Sequence, residues 1–345
     1  MRTASSFLLI LALAAPAAYA GPAEIDRLRA AVEQVIASSS GEMGISIKHL
    51  ESGQELAVNG HSPFPMASTY KVAILVELFN QVDAGTIRLD EMVSLGALDP
   101  RLGSGQLKDY IVPGVSLSME NLAWLMMRIS DNTATDIVLG RVGIANVNHR
   151  LASLGITGIA VNRSTQDLIL DQMGFEDWNT DGKTEDEIVA MLNEYQVAPG
   201  ELEMAAARFD VDQQDTATPV AMTQLLEKIF LGQAASPSSC AKMVDIMLKC
   251  ETGLDRIRGL LPESVPVAHK TGTIGGTVND VGIIYLPEGR GHVLLSVLSK
   301  GCLDQDKAAR AIANIARYAY DYFLFTVPES AETDSEAAGS LLSVP

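Results

Sequence analysis

The chain has few cysteines, histidines and aromatic residues, and its basic residues are far outnumbered by acidic ones. Its 345 residues include three cysteines, five histidines and 5% aromatics. The histidines are scattered and no cysteine or histidine pair has the spacing of metal ligands, so we expect no metal site and no cofactor. With 43 acidic and 25 basic residues, a net charge of −18 and no lysine or arginine cluster, the sequence argues against nucleic acid or an anionic membrane surface as a partner.

The three cysteines, Cys240, Cys250 and Cys302, allow at most one intramolecular disulfide. If residues 240–250 form one helix, a rise of about 1.5 Å per residue puts Cys240 about 15 Å from Cys250, which is too far for a bridge. Cys250 with Cys302 is then the pairing to test.

Long apolar runs are missing except at the N-terminus. Residues 1–20 have the pattern of a secretory signal: Arg2, an apolar stretch over 7–15, and small residues before Gly21. No later stretch reaches the roughly 18 unbroken apolar residues of a membrane helix. We therefore expect a secreted, periplasmic protein without a membrane span, and a monomer.

The order of helical and strand patterns predicts an α+β protein with a helical subdomain inserted into a sheet subdomain. Residues 21–67 and 222–326 are assigned to the sheet subdomain. Residues 68–221 are assigned to the helical subdomain, with an expanded loop at about 164–214. Residues 327–345 are rich in Glu, Ser and Ala, and we expect a disordered tail.

Three short motifs carry the chemistry: Ser68-Thr69-Tyr70-Lys71, Ser130-Asp131-Asn132 and Lys270-Thr271-Gly272. Together they supply a nucleophile, two amines and a second hydroxyl, the groups needed to open an amide through an acyl-serine intermediate.

A second Ser-x-x-Lys, Ser239 to Lys242, has no partner motif and lies within a helical run. Ser68 instead follows two prolines and opens the apolar periodic segment 72–79, which predicts a helix start. We therefore assign the nucleophile to Ser68.

These motifs resemble those of the penicillin-recognising serine enzymes, specifically the class A β-lactamase branch, over about residues 41–325. The resemblance implies a β-lactamase/transpeptidase-like fold, with an antiparallel sheet flanked by helices and a helical subdomain. It also implies a serine hydrolase that acts on a small molecule, either a β-lactam or the D-alanyl peptide that β-lactams imitate.

The expected catalytic residues are Ser68, Lys71, Ser130 and Lys270. Lys71 lies three residues after Ser68, so on a helix both side chains share one face. Burial and the charge of Lys270 would lower the pKa of Lys71 and let it act as a base. Ser130 would relay a proton to the departing nitrogen, although its motif is also a good helix start.

The expected substrate-binding residues are Asn132, Thr271, Gly272 and Thr273. The Asn132 amide could hold a substrate amide or make local turn bonds. The threonine hydroxyls, with Lys270, would bind a carboxylate, unless Lys270 is only an edge lysine that discourages aggregation. Gly272 would let a substrate strand approach. The resemblance implies that the Thr273 backbone N–H is the second oxyanion donor.

The resemblance fails in the loop after Arg163. Class A enzymes carry there a glutamate that activates the hydrolytic water and then an asparagine, where this chain has Thr165 and Ile169. Asp215 matches the acid that closes the loop, but about 37 residues are inserted before it, including an acidic helical pattern over 184–195. The nearest substitute bases would be Asp167, Asp171 and Glu176, which otherwise are solvated loop charges.

Three hypotheses follow. The first is a β-lactamase that opens β-lactam rings through acyl-Ser68 and deacylates slowly. The second is a DD-peptidase or penicillin-binding-like enzyme acting on D-alanyl cell-wall peptides. The third is a non-turnover peptidoglycan-binding protein, against which the complete nucleophilic set counts.

We predict that Ser68→Ala abolishes covalent labelling by β-lactams, whereas the matched control Ser239→Ala leaves it intact. The reason is that only Ser68 combines a helix start, a lysine three residues later and two downstream motifs. Intact-protein mass spectrometry after mixing with a penicillin measures the adduct. Labelling that survives the loss of Ser68 would contradict the catalytic assignment.

Overall fold

The computed structural model describes residues 22–110, 115–176, 178–195, 198 and 200–329. The predicted signal at 1–20 and nearly all of the predicted tail lie outside the described residues. Across the part that is described, no helix combines the length and the apolar character needed to cross a bilayer.

A five-stranded antiparallel sheet forms the centre of the molecule. Its strands are β1 (Glu42–His49), β2 (Glu55–Val58), β7 (Val267–Ile274), β8 (Thr277–Tyr285) and β9 (His292–Lys300), and they lie in the order β2-β1-β9-β8-β7. Two short antiparallel pairs are separate from it: β3 (Phe64–Pro65) with β6 (Thr216–Ala217), and β4 (Met92–Ser94) with β5 (Ser116–Ser118).

The sheet separates two hydrophobic cores, because alternate side chains of its strands point to opposite faces. On one face pack α1 (Pro22–Ser38) and α12 (Gln305–Thr326). On the other face pack α2 (Lys71–Asp83), α10 (Pro219–Phe230) and α11 (Pro237–Leu248).

α2 lies in a layer of helices; it is buried along most of its length and apolar on nearly every side, as expected of a central helix. Its neighbours in this layer are α3 (Leu107–Tyr110), α4 (Met119–Arg128), α5 (Asn132–Val142) and α6 (Ile144–Ser153). The second, larger core therefore fixes the helix that carries Lys71 against the sheet that carries Lys270.

The expanded loop contains three helices: α7 (Thr165–Gln172), α8 (Glu185–Glu194) and α9 (Glu201–Val211). The helix predicted from the acidic run is confirmed as α8, which begins with a capping box between Thr184 and Glu187. A small apolar cluster joins three loop residues, Leu170, Phe175 and Ile188, to Leu102 outside the loop. The insertion therefore has regular secondary structure and packs against the segment that contains Leu102.

Arg163 closes the base of this loop. Its guanidinium lies 2.6 Å from Asp215, 2.8 Å from Asp171 and 3.0 Å from Asp212. Because Arg163 and Asp215 are almost fully buried, their pairing holds together two chain segments that the insertion separates in sequence.

The structure does not form the disulfide considered between Cys250 and Cys302, because all three cysteines are free and buried. Cys302 belongs to the core under α1 and α12, and its thiol donates to the Ser40 carbonyl. Cys250 instead contacts Thr252, beside β7. The two thiols lie in different environments.

We predict opposite stability effects for Gly282→Ala and Gly140→Ala. A Cβ at Gly282 in β8 would lie 2.6 Å from the Ala268 carbonyl and from His269 Cβ, so Gly282→Ala should lower the free energy of unfolding by about 1–3 kcal/mol. A Cβ at Gly140 in α5 would meet no atom within 4 Å apart from its chain neighbours and the backbone of its own helix, so Gly140→Ala should raise the free energy of unfolding by about 0.5–1 kcal/mol. Urea unfolding measures both, and shifts in the same direction would contradict the packing described.

Candidate active site

Ser68 lies in a 3-10 turn, Ala67–Tyr70, that leads directly into α2. The helix start predicted here is thus a tighter turn followed by the α-helix. The Asn279 side chain holds the preceding segment by donating to the carbonyls of Pro65 and Met66 at 2.8 and 3.0 Å. Ser68 is only partly buried between buried neighbours, so a substrate can reach it.

Lys71 is fully buried, and its amine is surrounded by three oxygen atoms. Lys71 Nζ lies 2.8 Å from the Ser130 carbonyl, 3.1 Å from Ser130 Oγ and 2.9 Å from Asn132 Oδ1. Burial and the nearby charge of Lys270 hold the pKa of Lys71 well below its usual range. The amine can therefore be neutral and carry the lone pair that a base needs.

Ser130 bridges the two lysines. Its Oγ lies 3.0 Å from Lys270 Nζ and 3.1 Å from Lys71 Nζ. The motif also starts a helix, as expected: α5 begins at Asn132, and the N-cap within the motif is Asp131, which accepts from the Ala134 N–H at 2.9 Å. Ser130 has a φ of +59°, a conformation that is uncommon for a residue with a side chain and that leaves its hydroxyl to the lysines.

Lys270 lies on β7, which is an edge strand, but its side chain is fully buried. It is therefore not the solvent-exposed edge lysine considered above. Burial lowers the pKa of Lys270 to about 8, although the negative charges of Cys250 and Asp280 oppose this effect. Its amine donates to Ser130 Oγ and to the Thr271 carbonyl.

The two threonines after Lys270 are held by partners that the motifs did not reveal. Thr271 Oγ1 lies 2.5 Å from the Thr252 hydroxyl. Thr273 is exposed, and its Oγ1 accepts from Arg256 Nη2 at 2.6 Å.

Gly272 is required by a contact within the protein, whereas the predicted approach of a substrate strand stays a prediction. A Cβ there would lie 2.6 Å from the Met66 carbonyl oxygen and 3.1 Å from the Ser68 nitrogen. The glycine thus lets β7 pack against the turn that carries Ser68, and it brings the strand and the nucleophile together before any ligand binds.

Asn132 reaches the site, and both ends of its side-chain amide have hydrogen-bond partners within the protein. Oδ1 accepts from Lys71 and from Ser104 Oγ, and Nδ2 donates to the Leu102 carbonyl at 2.8 Å. In this structure Asn132 orients the Lys71 amine and fixes the segment before α3, which agrees with the expected local bonds, and its contact with substrate stays a prediction.

Arg256 is a site residue that the motifs did not indicate. Its Nη1 donates to the carbonyls of Gly272 and Asn279 at 3.0 and 2.7 Å, and its Nη2 contacts Thr273. This places a positive charge beside Lys270 at the predicted carboxylate pocket. Arg256 lies in a loop without a recognisable sequence pattern, and only the fold brings it to β7.

In the loop, Thr165 faces Tyr70 rather than standing free. The Thr165 and Tyr70 hydroxyls are 2.7 Å apart. The Thr165 N–H donates to Asp136 Oδ1 at 2.7 Å, and Arg101 lies 3.1 Å from the same carboxylate. Asp136, which no motif indicated either, fastens the loop to α5.

The three carboxylates considered as substitute bases are engaged elsewhere. Asp167 accepts from Ser164 at the start of α7, Asp171 pairs with Arg163, and Glu176 pairs with Arg208 at 3.4 Å. Two other carboxylates, those of Asp131 and Asp136, act on Lys71. Their negative charges oppose the lowering of its pKa, and both accept from backbone N–H groups.

The second Ser-x-x-Lys copy is structural. Ser239 Oγ donates to Asp83 at 2.6 Å, and Lys242 pairs with Glu120.

Within the described segments, no group of three or more His, Cys, Asp or Glu side chains is placed to hold a metal ion.

Comparison with known proteins gives consistent results. A family profile described as "Beta-lactamase enzyme family" matches residues 27–323. Beta-lactamase VEB-1 of Pseudomonas aeruginosa is 25% identical over 319 residues, covering 88% of this chain and 92% of the relative. The carbapenem-hydrolyzing beta-lactamase KPC of Klebsiella oxytoca is 27% identical over 287 residues, covering 81% of this chain and 84% of the relative.

Solved structures agree. The beta-lactamase of Sphaerobacter thermophilus has a TM-score of 0.69 at 28% identity, covering 87% of this chain and 97% of that one. PBP-A, solved as a point mutant in an acyl-enzyme complex with penicillin G, has a TM-score of 0.69 at 25% identity with the same coverage. The chain therefore belongs to the β-lactamase enzyme family, and its α+β fold is that of the class A β-lactamases.

Proposed function

We propose that the protein is an exported serine hydrolase that opens β-lactam rings through an acyl-Ser68 intermediate and deacylates slowly. The observation that carries the proposal is the chain of contacts from Lys71 through Ser130 to Lys270, beside a partly exposed serine. A buried amine of lowered pKa next to a nucleophile is the arrangement that serine acylation needs.

Acylation follows from these contacts. The neutral Lys71 amine takes the hydroxyl proton of Ser68 as its Oγ attacks the β-lactam carbonyl. The backbone N–H groups of Ser68 and Thr273 stabilise the oxyanion, and Ser68 also sits at the positive end of α2. The proton then passes from Lys71 to Ser130 Oγ, whose own proton goes to the departing nitrogen.

Substrate capture depends on positive charge in an otherwise acidic protein. Lys270 and Arg256, with the hydroxyls of Thr271 and Thr273, form a pocket for one carboxylate. Both cations are held by β7, so they stay in place when the substrate arrives.

Slow deacylation is inferred from Thr165. A hydroxyl bonded to Tyr70 cannot take a proton from water as a carboxylate does, and the three loop carboxylates are bound elsewhere. This also favours a second candidate, a DD-peptidase or penicillin-binding-like enzyme acting on D-alanyl peptides. The structural relative PBP-A was solved as an acyl-enzyme complex with penicillin G, which supports this second candidate.

Export to the periplasm is supported by the signal pattern of residues 1–20. The mass of the protein recovered from a periplasmic extract should correspond to a chain that begins at Gly21.

We predict that Lys270→Ala slows acylation by carboxylate-bearing β-lactams by about 10²–10³-fold, because the charge that binds the carboxylate is lost. A β-lactam whose carboxylate is esterified should be affected much less. Burst kinetics with the two substrates measure the difference. An equal loss of acylation rate with both substrates would contradict the carboxylate pocket. Lys270 would then act only by lowering the pKa of Lys71.

We also predict a burst close to one equivalent of product with a chromogenic β-lactam, followed by a slow steady state. Restoring the base should speed only the slow phase, by about 10²-fold. Because the Thr165 hydroxyl is bonded to Tyr70, the test variant is Tyr70→Phe/Thr165→Glu/Ile169→Asn.

The matched control is Tyr70→Phe/Thr165→Gln/Ile169→Asn, which has the same shape without the carboxylate. Fast turnover without a burst in the unmodified protein would show that another group activates water. Release of D-alanine from cell-wall peptides at a higher rate than β-lactam turnover would favour the second candidate.

A further inference from the structure

A cavity lies between α5 and the base of the expanded loop, and the acylation described above uses none of the residues that line it. Its volume is about 630 Å³, which is within the range of about 300–1,000 Å³ that small-molecule sites have. Its walls are the end of α5 with the start of α6, the segment 98–101, and two parts of the loop, the start of α7 and the turn 180–183. We call it the α5 cavity.

One side of the α5 cavity is bare at Gly140. A Cβ at this position would meet no atom within 4 Å apart from its chain neighbours and the backbone of its own helix. A helix interior favours alanine over glycine, and here no packed neighbour excludes a side chain. The glycine therefore leaves the backbone of α5 open to a ligand, and the apolar side chains of Leu139 and Ile144 line the same cavity.

Gln166, in the first turn of α7, lines the α5 cavity and is 6% exposed. Its Nε2 donates to Thr180 Oγ1 at 3.1 Å, whereas its Oε1 is buried and has no hydrogen-bond partner among the described residues. A buried amide oxygen without a donor costs free energy, and such atoms are rare in folded proteins. A ligand with an N–H group in the cavity would supply the missing donor.

Negative charge predominates around the α5 cavity. Four carboxylates and two cationic side chains line it: Asp99, Asp136, Asp167, Asp181, Arg101 and Lys183. Arg101 lies 3.1 Å from Asp136, and this pair leaves three carboxylates against the single ammonium of Lys183. The Asp181 side chain is exposed, and its carboxylate has no hydrogen bond or ion pair within the described part of the chain. The cavity therefore favours a cation over an anion.

The cation that fits this lining is organic. In the ranges that the structure describes, no three His, Cys, Asp or Glu side chains are placed to hold a metal ion. Leu98, which is 52% exposed, adds a further apolar surface to those of Leu139 and Ile144. A ligand with a cationic head and an apolar body can use both kinds of surface.

We propose that the α5 cavity binds a small organic cation, whose ammonium or guanidinium head donates to Gln166 Oε1 and whose apolar body lies against Gly140. The three uncompensated carboxylates attract the head. Because Ser164 and Gln166 both line the cavity, the ligand contacts the loop on either side of Thr165. This site is separate from the one proposed for β-lactams, and the inference does not depend on the acylation of Ser68.

The probe is hexylammonium, which combines an ammonium head with an apolar chain. When it is titrated into the ¹⁵N-labelled protein, the NMR signals of amides that line the cavity should shift saturably, with a dissociation constant of about 1 mM for a ligand of this size. Hexanoate has the same apolar chain and the opposite charge, and it should bind about tenfold more weakly or less.

Gly140→Leu tests the position of the apolar body. The leucine side chain would occupy the open space beside α5, so the affinity for hexylammonium should fall about tenfold or more. Gly140→Ala is the matched control, because it replaces the same glycine but fills little of the cavity. It should change the dissociation constant by less than about twofold.

Asp181→Asn tests the charge. Loss of one uncompensated carboxylate at the surface should weaken hexylammonium binding about two- to fivefold. Asp186→Asn is the matched control, because Asp186 is an exposed carboxylate in the first turn of α8 that does not line the cavity. It should leave the affinity unchanged. Both positions are exposed, so neither change should disturb folding.

Equal affinity for hexanoate and hexylammonium, or the same affinity in the unmodified protein and in Gly140→Leu, would overturn the proposal. An equal loss in Asp181→Asn and Asp186→Asn would also overturn it, because it would show only a general attraction to an acidic protein. If Gly140→Leu does not fold, the two aspartate variants still decide. If β-lactams do not label Ser68, the proposed function fails, but this titration still shows whether the α5 cavity binds a cation.

Discussion

The burial of the Lys71 amine among the oxygens of Ser130 and Asn132 is the interaction on which the rest of the site depends. A lysine in this position requires a helix that is buried nearly all round, a serine in an unusual backbone conformation and an amide oxygen that accepts from the lysine. The packing of α2 and the left-handed Ser130 are thus conditions for a neutral amine. The packing that stabilises the helical core thus also keeps the Lys71 amine in the state that activates the nucleophile.

The sequence predicted the parts of the site whose roles follow from local chemistry. Ser68, Lys71, Ser130 and Lys270 were identified because nucleophile, amine and hydroxyl occur in short motifs, and the structure brings Lys71, Ser130 and Lys270 into direct contact. The α+β class followed from the order of helical and strand patterns, and the inserted helix α8 followed from its acidic start. These features are encoded by neighbouring residues.

The features that were missed depend on contacts between distant segments. Arg256 reaches Thr273 only because the turn before residue 257 packs against β8, and Asp136 reaches Thr165 only because the loop folds back on α5. Gly272 was singled out for a close approach by substrate, and the structure shows in addition a close approach by the Ser68 turn. The Lys270-Thr271-Gly272 motif could indicate that a side chain is not tolerated at residue 272, but not which segment of the chain packs there.

If the hydroxyl pair between Tyr70 and Thr165 leaves deacylation as slow as proposed, this has a consequence for the cell that makes the protein. An enzyme that is acylated fast and deacylates slowly inactivates, at first, about one molecule of antibiotic for each molecule of protein. Protection would then rise in proportion to the amount of protein exported, and would be exhausted by a large dose even if each capture were fast. Selection on such a protein would act first on expression level, and only afterwards on the loop that limits turnover.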